Sequence, residues 1–257
     1  MGKKILLSVA GYDPTSGAGI LLDLKVFHSL GFQGMALLTS VTSQNTRRVK
    51  SIHPLSPPLL WDQYKTLHED ISFSGIKVGM VGSIKNMAFI SRILSNHPKI
   101  PKVVDPVFRS SSGKWLLEKE SIASYVDHIK GRASLLTPNT EEASLISGIT
   151  ISTADGMKEA AERIYKITQI PCLIKGGHLA GKKSDVLFDG KNFHVLVRKK
   201  IKKRVHGTGC FLSSSLLAFL AKGNSLKKAF FLAEELTHDA IARAIKIGSG
   251  QQILDFF

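Results

Sequence analysis

The sequence predicts an α/β fold built on a central, mostly parallel β-sheet with helices on both faces. Short apolar runs of strand length recur along the chain, and amphipathic segments of helical length lie between most of them. Strands that alternate with helices in this way are typical of β-α-β units and a parallel sheet. The predicted strands occupy residues 5–10, 35–38, 76–78, 103–104, 135–136 and 172–174.

The intervening helices and the last third of the chain follow the same logic. Apolar residues at helical spacing predict helices over residues 20–30, 61–69, 87–94, 122–129, 141–146 and 156–168. Two further strands are expected at 185–188 and 193–198. An apolar helix is then expected over 211–221, ending before Gly223, and another over 226–246. No repeat or long linker interrupts the pattern, so we expect a single domain over residues 1–257.

The composition bears on the kind of protein and its location. Hydrophobic residues make up 43% and charged residues 21% of the chain, as in soluble globular proteins. No apolar run reaches the roughly 18 residues of a membrane span. Cys172 and Cys210 are far apart and lack metal-ligand spacing, which favours a reducing cytoplasm.

The formal net charge of +15 leaves several partners open. It is compatible with nucleic-acid binding, with an enzyme that acts on anions, or with a generally lysine-rich composition. The densest basic segment, residues 198–204, has three interpretations: a solvated edge strand or loop, a contributor to phosphate attraction, or a nucleic-acid patch. No aromatic residues are interleaved with the charges, which disfavours the last interpretation.

Polar or glycine-containing segments directly follow most of the predicted strands. Examples are residues 11–14, 39–46, 105–106, 137–142 and 175–178. Parallel strands place their carboxyl ends at one edge of the sheet, where open α/β sheets bind ligands. We therefore expect these distant segments to meet in one site.

A candidate anion site lies at His206-Gly207-Thr208-Gly209-Cys210, directly before the predicted 211–221 helix. Glycines allow close backbone approach to a ligand, and a helix N-terminus offers free N–H groups and a positive dipole end. Cys210 would lie in the first turn, where the pKa of a thiol tends to fall. The glycine-lysine loop of Walker-type nucleotide sites is absent from the sequence.

Acidic residues near this anion site suggest a metal ion with bound phosphate. The candidate carboxylates are Asp23, Asp105 and Glu142, and Lys175 is the candidate cation. Carboxylate oxygens together with phosphates are typical ligands of Mg²⁺. Phosphoryl transfer requires this combination of positioned donors, a cation and an aligned nucleophile.

Taken in order, the polar segments resemble the ribokinase superfamily, and within it the hydroxymethylpyrimidine/phosphomethylpyrimidine kinases of thiamine biosynthesis. The resemblance runs from residue 5 to residue 244. It implies a ribokinase-like three-layer sandwich and ATP-dependent phosphorylation of 4-amino-5-hydroxymethyl-2-methylpyrimidine, and then of its monophosphate. The segments that carry it are residues 10–20, 23–25, 42–46, 76–80, 105–107, 137–143, 175–178 and 206–210.

The resemblance implies that Gly11, Asp23 and Gln44 contact the aminopyrimidine. A glutamine amide has both a donor and an acceptor, which suits an amino group beside a ring nitrogen. Without the resemblance, Gln44 is interpreted as a solvent-exposed loop residue, and Asp23 as a solvent-exposed residue on a slightly rotated helix. Met80 and Val107 resemble the apolar wall of the substrate site, although ordinary core positions explain them equally well.

The remaining implied roles concern ATP and Mg²⁺. Asn139 and Glu142 match the Asn-x-x-Glu that orders Mg²⁺ and its waters, although the same residues could simply start a helix. Lys175 matches the lysine that reaches the ATP phosphates, and Asp105 lies beside the metal in relatives. A turn before Pro106 is the alternative for Asp105.

The anion hole for the migrating phosphoryl group would consist of Thr208 and the backbone from Gly207 through Gly209 to Cys210. Sugar kinases of the superfamily have an aspartate general base where this chain has Cys210. A thiolate there could accept the hydroxymethyl proton, or the thiol could only shape the hole.

The sequence departs from the family pattern at Tyr12 and in the segment 15–16, where smaller or glycine-rich residues are usual. Arg109 also departs from it and could bind a substrate phosphate or point to water. Two rival functions stay open: a pyridoxal kinase of the same superfamily, and a basic nucleic-acid-binding protein. Relatives imply a homodimer that binds small molecules, with neither nucleic acid nor membrane as partner.

Overall fold

A nine-stranded sheet runs through the computed structural model, which describes residues 3–177 and 183–256. The strand order is β3-β2-β1-β4-β5-β6-β7-β8-β9. The six adjacent strands β2, β1, β4, β5, β6 and β7 pair in parallel. Strand β3 at one edge, and β8 and β9 at the other, pair antiparallel. The strands are β1 (Ile5–Tyr12), β2 (Gln33–Gln44), β3 (Val49–Pro54), β4 (Gly75–Val78), β5 (Lys102–Val104), β6 (Leu135–Leu136), β7 (Cys172–Ile174), β8 (Lys183–Phe188) and β9 (Phe193–Arg198).

Eight helices are described, and they cover both faces of this sheet. They are α1 (Gly19–Ser29), α2 (Pro57–Asp70), α3 (Ile84–Asn96), α4 (Ile122–Ile129), α5 (Thr140–Ser147), α6 (Ala154–Thr168), α7 (Thr208–Ala221) and α8 (Leu226–Arg243). None of the helices in the described ranges is both long and apolar enough to cross a membrane.

Apolar layers pack on both faces of the sheet, because successive side chains of a strand point to opposite faces. Leu6 packs with residues of α1, α7 and α8, whereas its neighbour Leu7 packs with residues of α2 through α6. Val103 and Val104 divide in the same way. Each such fully buried side chain contributes about 1.5–3 kcal/mol of transfer free energy. The predicted α/β class, with a mostly parallel sheet between two helical layers, is confirmed.

The structure corrects several predicted boundaries. Strand β2 continues from the apolar run at 35–38 through a polar stretch to Gln44, so Gln44 stands on a strand rather than in a loop. Helix α8 ends at Arg243 instead of residue 246, because Ile245 pairs with Ile253. The edge strand β3 and the short parallel pair β10 (Val205–His206) and β11 (Gln252–Ile253) were not predicted.

Candidate active site

A cavity of about 700 Å³ opens at the carboxyl ends of the parallel strands and at the start of α7. This is the edge at which open α/β sheets bind ligands. The structure brings every predicted site residue except Asp23 to the wall of this cavity. The lining members of that set are Gly11, Gln44, Met80, Asp105, Val107, Asn139, Glu142, Lys175, Gly207, Thr208, Gly209 and Cys210. His178, the last residue of one predicted segment, lies outside the described residues.

Asp23, which was expected to contact a substrate, does not line the cavity. Its side chain is completely buried below the cavity, where Oδ1 lies 2.6 Å from Lys77 Nζ. Ser8 Oγ donates to Oδ2 at 2.6 Å, and Ser214 Oγ donates to Oδ1 at 2.7 Å. Because these contacts satisfy the carboxylate inside the protein, Asp23 supports the site from beneath.

The N-terminus of α7 points its free backbone N–H groups toward the cavity. Gly207 caps the helix with a φ of 80°, and a side chain there would collide with the carbonyl oxygen of Gly17. Thr208 to Cys210 form the first turn. The first N–H groups of a helix have no partner within the helix, and the dipole adds positive potential at this end. This turn is therefore suited to hold a phosphoryl group.

Lys175 lies against this turn and is held by a buried carboxylate. Its Nζ is 2.7 Å from Asp105 Oδ1, and a Cβ added at Gly209 would lie 3.1 Å from the same Nζ. The lack of a side chain at Gly209 thus allows the ammonium group to approach the helix end. Thr137 Oγ1 also donates to Asp105, at 3.1 Å, which fixes the orientation of the carboxylate.

The pKa of Cys210 departs from the expectation of a lowered value. Burial raises the pKa of this thiol above its ordinary value of 9.0; Lys77 opposes the shift, and Asp105 and Asp23 reinforce it. The Gly19 N–H donates to the sulfur and opposes it further. Burial and the nearby carboxylates therefore keep the resting thiol protonated at neutral pH.

Asn139 and Glu142 form a capping box at the start of α5. Asn139 Oδ1 accepts from the Glu142 N–H at 2.9 Å, and Glu142 Oε2 accepts from the Asn139 N–H at 2.8 Å. Burial raises the pKa of the Glu142 carboxyl to about 8; Lys175 opposes this shift, and Asp105 adds to it. The helix-start interpretation of these two residues is thus confirmed, and it does not compete with a metal role because both also line the cavity.

The donor set fits Mg²⁺ that is shared with phosphates. Asp105 and Glu142 are buried carboxylates on one cavity. Within residues 3–177 and 183–256, no group of three or more His, Cys, Asp or Glu side chains could hold a metal ion by itself. Mg²⁺ commonly uses one or two carboxylates, several waters and substrate phosphates, so two carboxylates are sufficient.

Gln44, Gly11 and Met80 form a separate part of the cavity. A side chain at Gly11 would press on Ser40 Oγ at 2.9 Å and on Met80 Sδ at 3.1 Å, so glycine leaves this wall flat. Gln44 Nε2 lies 3.5 Å from His206 Nε2. A flat wall beside an amide and a thioether suits a small ring with polar edges.

His206 and Asp13 form a contact that was not predicted, although both lie in segments that carry the family resemblance. His206 Nε2 lies 2.8 Å from Asp13 Oδ2. Burial alone would raise the pKa of the Asp13 carboxyl, but His206 and Thr15 lower it below its ordinary value. The pair joins the loop after β1 to the segment before α7 and faces Gln44. The sequence signal that could have identified His206 is its position directly before the Gly-Thr-Gly turn.

Lys77 is the second missed residue. It lies on β4, is fully buried, and also lines the cavity. Burial lowers the pKa of Lys77, but Asp23, Cys210 and Asp105 together outweigh burial and raise the pKa above its usual range. The signal was a lysine inside the apolar run of residues 76–78, since a charge in a buried strand requires a partner.

Arg109 lines the cavity and has two protein partners, and a contact with a substrate phosphate stays a prediction. Its guanidinium pairs with Glu141 at 2.7 Å and lies 4.1 Å from the centre of the Trp115 ring. Arg109 and Glu141 both line the cavity. Arg109 is therefore held by protein partners.

Comparisons with known proteins identify the family of this chain. The family described as phosphomethylpyrimidine kinase matches residues 13–255. A hydroxymethylpyrimidine/phosphomethylpyrimidine kinase from Aquifex aeolicus is 36% identical over 254 residues, covering 98% of this chain and 100% of that protein. The protein of the same description from Bacillus subtilis is 36% identical over 247 residues, covering 95% and 91%.

Solved structures show the same architecture. The pyridoxal kinase from Staphylococcus aureus in complex with pyridoxal has a TM-score of 0.92 and 28% identity, covering 100% of this chain and 94% of that one. A phosphomethylpyrimidine kinase from Clostridium difficile has a TM-score of 0.82 and 35% identity, covering 93% and 100%. Since the family match spans almost the entire chain and the relatives align over most of their length, the chain belongs to the phosphomethylpyrimidine kinase family of small-molecule kinases with a ribokinase-like fold.

Proposed function

We propose that this protein transfers the γ-phosphoryl group of ATP to the hydroxymethyl oxygen of 4-amino-5-hydroxymethyl-2-methylpyrimidine, and then phosphorylates the resulting monophosphate. The observation that carries the proposal is one continuous cavity. It joins the flat wall at Gly11 and Gln44 to the helix end at Lys175 and Cys210. Relatives named for both phosphorylations support the choice of substrate.

In this proposal the aminopyrimidine lies between Gly11, Met80 and Val107. Gln44 hydrogen-bonds the ring through its amide, which donates and accepts at once. The His206–Asp13 pair keeps the neighbouring polar wall in place. The hydroxymethyl group then points toward Cys210.

The phosphate end is held by charge and by backbone donors. Lys175 and the N–H groups of residues 208–210 bind the transferring phosphoryl group, and they are already positioned before reaction. Glu142 and Asp105 would hold Mg²⁺, directly or through its waters. Mg²⁺ neutralises charge on the phosphate oxygens when it is bound. The S. aureus pyridoxal kinase has been solved with AMP-PCP, an ATP analogue, which supports ATP as co-substrate.

The two transfers make different demands on Cys210. In the first, the hydroxymethyl O–H must lose its proton as the oxygen attacks phosphorus; because the resting Cys210 thiol is protonated, only its minor thiolate fraction can accept that proton. In the second, the attacking atom is a phosphate oxygen whose last pKa is about 6, so it is already ionised near neutral pH. Replacing Cys210 by alanine is therefore expected to slow the first transfer more than the second.

An ADP-release assay tests the function directly. The wild-type protein and Cys210→Ala are given the aminopyrimidine, its monophosphate or pyridoxal at equal concentration. We expect wild-type turnover on the first two acceptors, and a Cys210→Ala defect about tenfold or more larger on the alcohol than on the monophosphate. Equal defects would show that the thiol only shapes the anion hole.

Pyridoxal kinase activity is the second candidate. It is favoured by the TM-score of 0.92 to the pyridoxal complex, which exceeds the 0.82 to the phosphomethylpyrimidine kinase. Pyridoxal also presents a hydroxymethyl group on a six-membered nitrogen ring. A higher kcat/KM on pyridoxal than on the aminopyrimidine would replace the first proposal by this one.

A homodimer and a cytoplasmic location remain predictions from the family resemblance. Light scattering on the purified protein checks the first, and fractionation of cells checks the second.

A further inference from the structure

The lysine-rich segment after β9 forms part of the cavity rim. Residues 199–204 connect β9 to β10 without regular structure, and four of their basic side chains line the cavity together with Lys175. These four are Lys199, Lys200, Lys203 and Arg204. The basic run that stood out in the sequence therefore faces the same cavity as the anion-binding turn of α7. We call residues 199–204 the basic rim.

The basic rim is fixed to the body of the protein at its second half. Lys203 Nζ donates to the carbonyl oxygens of Ala242 at 2.6 Å and Ala244 at 3.2 Å, which lie at the end of α8. The Gln252 N–H donates to the Arg204 carbonyl oxygen at 2.9 Å. Lys203 thus has a structural task, and the rim keeps a defined position beside the cavity.

The charges around the cavity do not balance. Four described carboxyl groups line the cavity: Asp13 contacts His206, Asp105 contacts Lys175, Glu141 contacts Arg109, and Glu142 accepts a hydrogen bond from the Asn139 N–H. In the described part of the chain, Lys199, Lys200 and Arg204 have no ion pair with a carboxylate. The side of the cavity that carries the basic rim consequently has excess positive charge, which a multiply charged anion would compensate.

We propose that Lys199, Lys200 and Arg204 form a rim subsite for the phosphate groups of the anionic substrates, outside the anion hole at α7. The subsite rests on the proposed function for the identity of those substrates, which are a nucleoside triphosphate and a phosphomonoester. Both offer oxygens with several negative charges, and lysines act on them as mobile point charges. The neutral aminopyrimidine gains nothing from the rim.

The test neutralises the rim without touching the anion hole. The variant Lys199→Gln/Lys200→Gln removes two exposed charges from the cavity. The matched control, Lys227→Gln/Lys228→Gln, removes two exposed charges from the first turn of α8, away from the cavity. Both variants have the same net charge, so a difference between them reports position rather than total charge.

The readouts are the Kd of Mg·ATP for the free enzyme, measured by calorimetry, and the KM of each acceptor. At about 0.05 M salt we expect the rim variant to weaken binding of ATP, of the monophosphate or of both by about fivefold, with the KM of the neutral aminopyrimidine unchanged. Whichever anion binds the rim variant more weakly, ATP or the monophosphate, is the one whose phosphate groups contact the rim. The loss should shrink toward nothing at about 0.5 M salt, while the control variant matches the wild type.

The proposal is overturned if both anions bind the rim variant as they bind the wild type, or if the control variant loses as much affinity. An equal rise in the KM of the neutral aminopyrimidine would also overturn it. Because the calorimetric arm needs no acceptor, a wild-type protein that fails to phosphorylate the aminopyrimidine would refute the proposed function and leave the ATP result readable.

Discussion

The buried pair of Asp23 and Lys77 supplies a prediction about folding stability. Neither side chain is exposed to solvent, and their charged atoms lie 2.6 Å apart. Replacing Asp23 by asparagine keeps the shape of the side chain and an oxygen that can accept from Ser8 or Ser214. It leaves the Lys77 ammonium group without a counter-charge inside the protein. Removing one partner of a buried ion pair costs about 3–5 kcal/mol.

The expected loss for Asp23→Asn is toward the lower end, about 3 kcal/mol, because the hydrogen bonds to the two serines are partly retained. The variant Lys77→Met should cost a similar amount. The double variant removes both charges and leaves no unpaired ion, so its loss should be well below the sum of the single losses, by about 2 kcal/mol.

The contribution of the wild-type pair should be independent of pH near neutrality, whereas the loss in Asp23→Asn should not be. The pKa of Lys77 in the folded protein is raised above its ordinary 10.5, so the pair's contribution is complete below that value. It is lost only as pH rises through the higher folded pKa. The wild-type pair should therefore contribute fully at both about pH 6 and about pH 8. In Asp23→Asn, burial lowers the pKa of the unpaired Lys77, so the loss relative to the wild type should be smaller at about pH 8 than at about pH 6.

Urea unfolding followed by circular dichroism measures these values, and unchanged m-values would show that the denatured state is comparable. A loss below about 1 kcal/mol for Asp23→Asn would refute the reasoning, since a buried lysine would then tolerate the absence of its partner. Acceptor binding provides a second check. If Asp23→Asn raised the KM of the acceptor strongly without loss of stability, a direct substrate contact would be the better explanation.

Three further predictions concern the helix end and its neighbours. The rate at which iodoacetamide modifies Cys210 should rise about tenfold per pH unit up to pH 9, because the thiolate reacts and burial raises the pKa of this thiol above the ordinary 9.0. A plateau in this rate below about pH 8 would contradict the raised pKa. Cys172, which is fully buried, should stay unmodified. Gly207→Ala should destabilise the protein by more than about 2 kcal/mol and lower kcat. Gly223 has a similar φ of 89° but open space around it, so Gly223→Ala should cost about 1 kcal/mol and leave kcat unchanged. Unfolding curves and kcat measurements check both variants. Lys175→Met should lower kcat about 100-fold or more in the ADP-release assay, and a loss below tenfold would remove Lys175 from phosphoryl transfer.

Most of the sheet was predictable because its parallel strands are buried on both faces. Such strands appear as continuous apolar runs, as at residues 76–78 and 103–104, and the helices between them show helical periodicity. Elements at the sheet edge lacked this signal. Strand β3 ends in proline and is largely exposed, and β10 and β11 are two residues long. Pairing in space, rather than local preference, defines them.

The candidate site was predictable to the extent that chain order determines which segments end at one edge of the sheet. Glycine at 207 and 209, Lys175 and the capping pair at Asn139 and Glu142 were identifiable in this way. The roles that depend on burial were not. Asp23 was expected at a ligand and lies beneath the site, and Cys210 was expected to ionise easily and does not.

The sequence by itself determined the α/β class, the order of the strands along the chain and the set of segments that meet at the carboxyl edge, because periodicity and turn chemistry are local. Only the tertiary structure decided which charges are paired. Asp23 with Lys77 and Asp105 with Lys175 come from distant parts of the chain. The physical reason is that the free energy of a charge depends on its burial and on the partners within a few ångströms, and neither is encoded in neighbouring residues.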